Sequence, residues 1–443
     1  MAVTGLQERA SLVQRDLVST VARFRPERAR TLATLEEGTR TKTAHLAGIQ
    51  IPYFKDHAHG QTWYNPLAND TSFKKSIKQQ SGAMYAGVAF RNMNFFMEDH
   101  IMLDMQRGFI PDSYIEERGR RIDTHMMKKN WAAIGDGTGS IAFVVSSVAG
   151  LLTCTADNVA RGRSKGSFRL KTSTVDDQLL YDAVNTTTDA VVATFYVVSK
   201  PSGTQANVVF TFGNDAALNI AGLAVCENGS WKREMIGIGG HISDANRIYQ
   251  GVDTSVDDFL KNPSINAGNA AVTPTTIFTA KGIMQTRGNG ASDDVNYVCH
   301  LTPGNYRTLA TYGYAARQYQ AADGKASKTF GLPDTYVDGD TVFVPDTDYE
   351  DCYIDFREKA PYFEYVQKKF GLKKDGDGNS NHEWIGQYQV GSTNSYENYN
   401  EACNIVWDAR GSKGDGKGGG TPGSAVFIKN IAMPTETQVA YGI

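Results

Sequence analysis

The stretch "NWAAIGDGTGSIAFVV", residues 130–145, sets three glycines, an aspartate and a threonine between two apolar runs. Its reading decides the fold. A glycine-rich loop that cradles phosphate runs strand, loop, helix, so that backbone N–H groups and a helix N-terminus face the anion. Here the order is reversed. Upstream, "PDSYIEERGRRIDTHMMKKNWAAI" (111–134) reads as a helix, with Ser113 as N-cap, Glu116 at capping-box distance, Pro111 just outside and Gly135 at the stop. Downstream, "SIAFVVSSV" (140–148) is β-branched and apolar and reads as a strand. No Gly-Lys-Ser/Thr follows. The stretch is a turn from helix into strand, not a nucleotide loop.

The chain of 443 residues is long enough for two or three compact units or one large body with insertions. Hydrophobic residues make up 41% and charged ones 21%, as in ordinary globular proteins. A net charge of −3 without a dense basic block gives no general attraction to DNA or to an acidic membrane. The 44 glycines, 21 tyrosines and 20 phenylalanines favour a body rich in strands and loops. Cys154, Cys226, Cys299, Cys352 and Cys403 are far apart and show no CxxC. That argues against a disulfide framework or zinc knot and suits buried thiols in a reducing compartment. No apolar run approaches the roughly eighteen residues of a membrane span, and the N-terminus lacks a signal-type apolar core. No membrane association is expected, and the chain is read as kept in the cytosol or in something assembled there.

Residues 1–25 place Leu6, Ala10, Val13, Leu17, Val21 and Phe24 on one helical stripe that ends at Pro26, and "PERARTLATLEEG" gives a second short helix closing at Gly38. Such a stripe is buried in the body, on another subunit, or as the first helix of a globular domain. Residues 52–82 are polar and irregular, long for a connection inside a compact domain, and read as an extended loop. "AMYAGVAFRNMNFF" alternates as a strand does, and "MEDHIMLDMQRGF" returns to helical spacing through Met97, Ile101 and Met105. Residues 166–213 are β-rich, with the turn "KPSGTQAN" suggesting a hairpin between "AVVATFYVVSK" and "NVVFTF". Beyond them come a helix in "TSVDDFLKN", a second in "TPGNYRTLATYGYAARQYQ", two strands about a turn in "DTVFVPDTDYEDCYIDF", and a last strand, "SAVFIKNIAM", returning to an earlier sheet. "KKDGDGNSN" (373–381) and "GSKGDGKGGGTPG" (411–423) read as flexible insertions.

No motif supplies an active site. "GRSKG" (162–166) matches GxSxG in form, but Ser164 is flanked by Arg163 and Lys165 and lacks the strand-turn-helix setting of a nucleophile elbow. His57 and His59 in "DHAHG" are spaced to share a strand face, yet nothing nominates the remaining metal ligands. "DGDGNSNHEWIG" begins like a calcium loop at Asp375, Asp377 and Asn379, but Ser380 stands where glycine is needed and Gly386 where the bidentate Glu belongs. The acidic run "DGDTVFVPDTDYED" offers a cation little more than water-facing carboxylates. Catalytic, cofactor and metal sites are expected to be none.

Several segments together resemble the major capsid proteins of tailed bacteriophages, the Hong Kong 97-type fold. They are "DMQRGFIPDSYIEERGRRIDTHMMKKNWAAIGDGTGSIAFV", "GIGGHISDANRIYQGVDTS", "VNYVCHLTPGNYRTLATYGYAARQY" and "DTVFVPDTDYEDCYIDF". The resemblance implies an α+β chain organised as an N-terminal arm (1–51), an extended loop region (52–95), a peripheral domain with its spine helix (96–165), an inserted β-rich subdomain (166–213), an axial domain (214–424) and a C-terminal return strand (425–443). The glycine turn then joins spine helix to peripheral sheet. It also implies many copies of the chain, in hexamers and pentamers, enclosing double-stranded DNA in an icosahedral head without sequence-specific binding. A portal and decoration proteins are further implied partners. With the spine helix beginning near residue 113 there is no room for a fused scaffolding segment, so a separate scaffold protein is expected. Lys74, Lys75 and Lys78 lie where some relatives crosslink, but no partner asparagine or acid is identified, and the crosslink is not carried over. Other readings are a tail tube or decoration protein, and a cytosolic hydrolase acting through Ser164 or a His57/His59 metal.

Overall fold

The computed structural model describes residues 30–37, 49–54, 81–98, 113–148, 151–155, 170, 173, 179–198, 202–203, 207–211, 221–256, 260–286, 297–320, 341–350, 352–358, 363–370, 385–388, 394–407, 425–432 and 434. The amphipathic stripe of residues 1–25 and the insertions at 373–381 and 411–423 lie outside them. The short helix expected to run to Gly38 is a single turn, α1, Arg30–Ala33. The Thr34 hydroxyl donates to the Thr31 carbonyl at 2.7 Å and Leu35 turns into the core, so the chain leaves the helix and Glu36–Glu37 joins a sheet instead. The irregular stretch has strands at its base: Ile49–Phe54 pairs antiparallel with Ser81–Ala86 in a two-stranded ribbon, and residues 55–80 between them lie outside the described set. A second strand, Ala89–Glu98, follows after Gly87 and Val88. Met97, expected on a helix, is part of that strand opposite Ser395; Ile101 and Met105 are not among the described residues.

The long helix α2 runs Ser113–Ile134 and passes through the glycine turn into strand Ser140–Val148, as the motif dictates. The capping side chains assigned to Ser113 and Glu116 fall outside the described side chains. Strand Ser140–Val148 lies at the centre of a seven-stranded antiparallel sheet in the order 191–195, 181–184, 224–227, 140–148, 151–155, 207–211, 202–203. The hairpin expected between 190–200 and 207–212 closes only beside its turn, Ser202–Gly203 against Val208–Val209, and the longer strands part. Val191–Phe195 pairs with Tyr181–Val184 on one flank, Asn207–Thr211 with Leu151–Thr155 on the other. A turn signal cannot enforce pairing when each strand finds a better apolar partner elsewhere. The shared core is Leu152, Tyr181, Phe195 and Val225 with their neighbours.

A third helix, α3, is one turn at Ile238–His241. Of the helix expected over 254–262, Thr254–Val256 make a turn, Leu260 is in 3₁₀ conformation, and residues 257–259 lie outside the described set. Helix α4, Pro274–Thr286, is entered through Thr273, whose Oγ1 accepts the Thr276 N–H at 3.3 Å; helix α5, Pro303–Gln320, is entered the same way through Thr302. These helices belong to a five-stranded mixed sheet in the order 264–270, 425–431, 354–358, 297–301, 341–345. The crossover through α5 makes Tyr297–Leu301 and Thr341–Pro345 parallel, and the last strand, Ala425–Ile431, returns between Ser264–Ala270 and Ile354–Glu358. Tyr297, Leu301, Leu309, Phe356, Val426 and Ile428 bury their side chains here. A further sheet is organised on the longest strand, Asn394–Trp407, which pairs with Ala89–Glu98, Phe363–Phe370 and Ile385–Tyr388.

One core cluster gathers residues from almost every unit: Leu35 after α1, Met84 of the ribbon, Ala133 of α2, Ile238 of α3, Ile405 of the longest strand and Phe427 of the last one. At roughly 1.5–3 kcal/mol for each large side chain removed from water, this cluster outweighs any single hydrogen bond in holding the units together. It surrounds the end of the long helix.

Candidate functional site

The end of α2 is capped by glycine geometry. Gly135 N–H donates to the Trp131 and Ala132 carbonyls at 3.0 and 3.1 Å, and the chain then turns through Asp136. The Asp136 carboxyl accepts the Thr138 N–H at 2.9 Å and its hydroxyl at 2.6 Å. Gly139 has φ +75, and a Cβ there would lie 2.8 Å from the Ser230 carbonyl oxygen. Lys232 N–H donates to the Thr138 carbonyl at 2.8 Å, so the 230–232 backbone clasps the turn. Segment 236–241 sits directly on the helix end: a Cβ on Gly237 would come within 2.3 Å of the Ala132 carbonyl oxygen and 2.4 Å of Gly135's. Only a glycine backbone can approach that closely. The Gly240 N–H then donates to the Gly135 carbonyl at 3.1 Å, satisfying one of the acceptors a helix C-terminus leaves open.

A buried carboxyl ties α1 to this seat. Asp346, which follows strand Thr341–Pro345, accepts the Thr31 N–H at 2.9 Å, the Thr31 hydroxyl at 2.6 Å and the Asn130 side-chain amide at 2.9 Å on one oxygen. Its other oxygen accepts the Asp348 N–H at 2.9 Å. Asn130 in turn accepts the Leu32 N–H at 3.1 Å. Helix α1, the penultimate turn of α2 and the five-stranded sheet thus meet on one side chain. Of the acidic run, Asp346 and Glu350 do not face water as expected but are buried, and just beyond it the buried Asp355 accepts the Tyr349 hydroxyl. Among the described residues no group of three or more His, Cys, Asp or Glu side chains is arranged to hold a metal ion.

Beneath α3, His241 is fully enclosed. Its Nδ1 bonds the Tyr249 hydroxyl at 2.6 Å and its Nε2 the Ile405 carbonyl at 3.0 Å. Burial, with the nearby Arg247 guanidinium, holds this imidazole down at a pKa of about 3. Arg247 donates to the Gly240 and His241 carbonyls and lies 4.9 Å over the Tyr249 ring. Asn404 completes the seat, accepting the Ile236 N–H at 3.1 Å and donating to the Gly87 carbonyl. In the five-stranded sheet His300 is likewise held well below its ordinary value by burial, then by Arg357, whose Nε donates to its Nε2 at 3.2 Å. All five cysteines are free and buried, and burial pushes the Cys154 thiol up to about 12 and Cys226 to about 11. They fill space, as the sequence suggested.

Between α2, strand Ala89–Glu98 and the 227–235 turn opens a cleft of about 690 Å³. Arg91, Lys128, Arg233, Glu227 and Glu234 line it, with Lys128 paired to Glu227 at 2.6 Å, together with the buried Lys129.

Of the side chains weighed from the sequence, Ser164, His57, His59, Asp375, Asp377, Asn379, Ser380, Lys74, Lys75 and Lys78 lie outside the described residues. Gly386 lies in strand Ile385–Tyr388, opposite Glu397. Sequence reasoning did not single out Asp346, Asn130, Asn404 or His241. The spacing of "GIGG" was the available signal for the seat at 237–240.

No family model matches the sequence, and no curated protein does. Among solved structures, a chain of the cyanophage A-1(L) capsid asymmetric unit superimposes with a TM-score of 0.56, at 10% identity, over 96% of this chain and 98% of that one. A chain of Gordonia phage Cozz matches at a TM-score of 0.44 and 9% identity, covering 98% and 95%. A chain of the capsid of Myoviridae phage XM1 does so at 0.44 and 6%, covering 95% and 97%. The cyanophage likeness shows the fold: this chain has the architecture of that capsid chain over nearly its whole length.

Two outcomes test the seat. Asp346→Ala strands the buried Thr31 and Asn130 donors, so we expect a loss on the order of 3 kcal/mol in urea unfolding and faster tryptic cleavage after Arg30. His241 binds its proton in the unfolded chain near pH 6.5 but in the folded chain only near pH 3. Stability is therefore fully present above about 6.5 and falls as pH drops toward 3, by roughly 1 kcal/mol per unit for this residue. His241→Gln should flatten that slope by about one proton in pH-dependent unfolding.

Proposed function

We propose that this chain is the major capsid protein of a tailed bacteriophage, which assembles with many copies of itself into the icosahedral head enclosing double-stranded DNA. The observation that carries the reading is the superposition on the cyanophage capsid chain over nearly the whole length of both. The local chemistry agrees with it. The described clusters of buried polar groups tie structural elements together, and the buried thiols are held far from the reactive thiolate form. A shell wall needs a rigid frame from which separate segments reach several identical neighbours, and a net charge of −3 suits a wall that confines DNA without gripping it.

Within this reading, residues 1–51 act as the arm, and the 49–54/81–86 ribbon is the base of the extended loop that reaches a neighbour. Helix α2 with the seven-stranded sheet forms the peripheral part, and the 264–431 sheet forms the axial part around which hexamers and pentamers close. A separate scaffold protein, a portal and decoration proteins are the partners that go with such a head. Assembly takes place in the bacterial cytoplasm and the product is the virion. The chain performs no catalysis.

The direct test is negative-stain microscopy of the chain co-expressed with the products of its neighbouring genes. Closed shells of phage-head size are expected. Uniform monomers at high concentration would contradict the reading.

A further inference from the structure

The outer strand of a sheet offers unpaired N–H and C=O groups to any strand that meets it, and folded chains protect such edges with short strands, charges, proline or a covering element. One end of the seven-stranded sheet is protected in this way, since its outer strand there, Ser202–Gly203, is two residues long. In the five-stranded sheet, Ser264–Ala270 breaks register between Asn266 and Ala270, and Thr341–Pro345 ends in a proline whose carbonyl accepts the Arg30 guanidinium at 3.0 Å.

The other outer strand of the seven-stranded sheet, Val191–Phe195, is different. Among the described residues it pairs only with Tyr181–Val184. Residues 190–199, "AVVATFYVVS", contain neither a charged residue nor a proline. The register slips where Val191 meets Val184, which leaves Val192 with no residue opposite it, and Val191 and Val192 are 54% and 53% exposed. Further along, the Val197 carbonyl accepts the Ser173 N–H at 2.8 Å, so the stretch left for a partner is 191–195. The hairpin that carries it is preordered. The Asn185 N–H donates to the Ala190 carbonyl at 3.0 Å, and the Asn185 side-chain oxygen accepts the Thr187 N–H at 2.9 Å. Asp189 accepts the Trp231 indole N–H at 3.0 Å and the Lys232 ammonium at 2.6 Å, which ties the tip to the segment clasping the glycine turn. A preordered apolar edge loses little entropy on docking, so its exposure points to a partner.

We propose that Val191–Phe195 of one copy pairs antiparallel with the same strand of a second copy across a two-fold axis, joining two seven-stranded sheets edge to edge. Two features select this occupant. An uncharged strand laid antiparallel on itself sets no like charges opposite one another, and Asp189, the acid that precedes it, is already paired with Lys232. An icosahedral shell also contains two-fold axes, where a patch has to be complementary to itself. The inference rests on the shell reading above and names one of its contacts. Five residues on each side make a small contact, which works as one of several in an assembly rather than as a stable dimer interface.

The test places one thiol beside the axis. The full-length Val192→Cys chain is co-expressed with the products of its neighbouring genes and treated with a short bis-maleimide. The native cysteines are all buried, so the introduced thiol dominates the reaction. A 192–192 crosslinked homodimer from this one variant is expected, a product that a head-to-tail contact does not give. In parallel, Val192→Lys sets like charges against each other and should cut particle yield about tenfold or more with thermal melting unchanged. Val192→Thr, of the same shape, should assemble normally, and co-expression of Val192→Glu with Val192→Lys should restore particles. If Val192→Lys melts lower than the parent chain, the crosslink alone decides. Normal yield from Val192→Lys, or particles lacking the 192–192 crosslink, would overturn the contact and leave the shell reading intact. So would a crosslink from Val192→Cys to a Val342→Cys copy in its place, which would make the neighbour's half-exposed strand 341–345 the occupant. A 192–192 crosslink in a chain that never forms particles would keep the contact and sink the shell reading, and the absence of both would sink both.

Discussion

The carboxyl end of the long helix rests on bare backbone, and the rest of the molecule depends on that contact. Helix carbonyls at a C-terminus carry partial negative charge and lack internal partners. Here they are met by Gly237 and Gly240, close enough that any side chain at 237 would overlap the Ala132 and Gly135 oxygens. From this seat the chain enters the seven-stranded sheet through 140–148 on one side, while segment 236–242 leads toward the five-stranded sheet on the other. Asp346 adds the third direction by drawing α1 onto the same helix turn. The core cluster around Ile238 and Ile405 encloses these bonds in an apolar setting, where they are worth most.

Under the capsid reading proposed above, this construction suits a wall. Identical copies at slightly different angles need a frame that does not deform and contact elements that can. The frame is dense with buried, fully specified polar bonds at the seat. The ribbon at 49–54/81–86 and the 248–253 hairpin are short antiparallel pairs joined to the frame through Met84 and Tyr249, which lie in its core.

Much of the frame was legible in the sequence, because its signals are local. Helix Ser113–Ile134, the glycine turn, strand Ser140–Val148, helix Pro303–Gln320 and the last strand are each announced by periodicity or by a cap. Helix Pro274–Thr286 was not, since four threonines and Gly282 give it weak intrinsic propensity and only the burial of Ile277, Ala280 and Met284 favours it. Strands Phe363–Phe370 and Asn394–Trp407 went unread for a different reason. Their lysine, asparagine, tyrosine and glutamate content resembles a loop, and their pairing is with each other and with residues 89–98, far away in the chain. The site was hidden by the same distance: Thr31 and Asp346 are 315 residues apart, and no spacing rule connects them. The hairpin read at 190–212 closes only at 202–203 and 208–209, since a turn sets where the chain bends and not which neighbours the longer strands take.

The claim that the seat is the structural fulcrum is tested most directly by hydrogen exchange on the purified chain, read on peptides covering 232–242. The amides of Lys232 and Gly240, which bond across to the helix turn, are expected to exchange as slowly as those of the fully buried strand 297–301. Exchange at the rate of an open loop, while 297–301 stays protected, would contradict it.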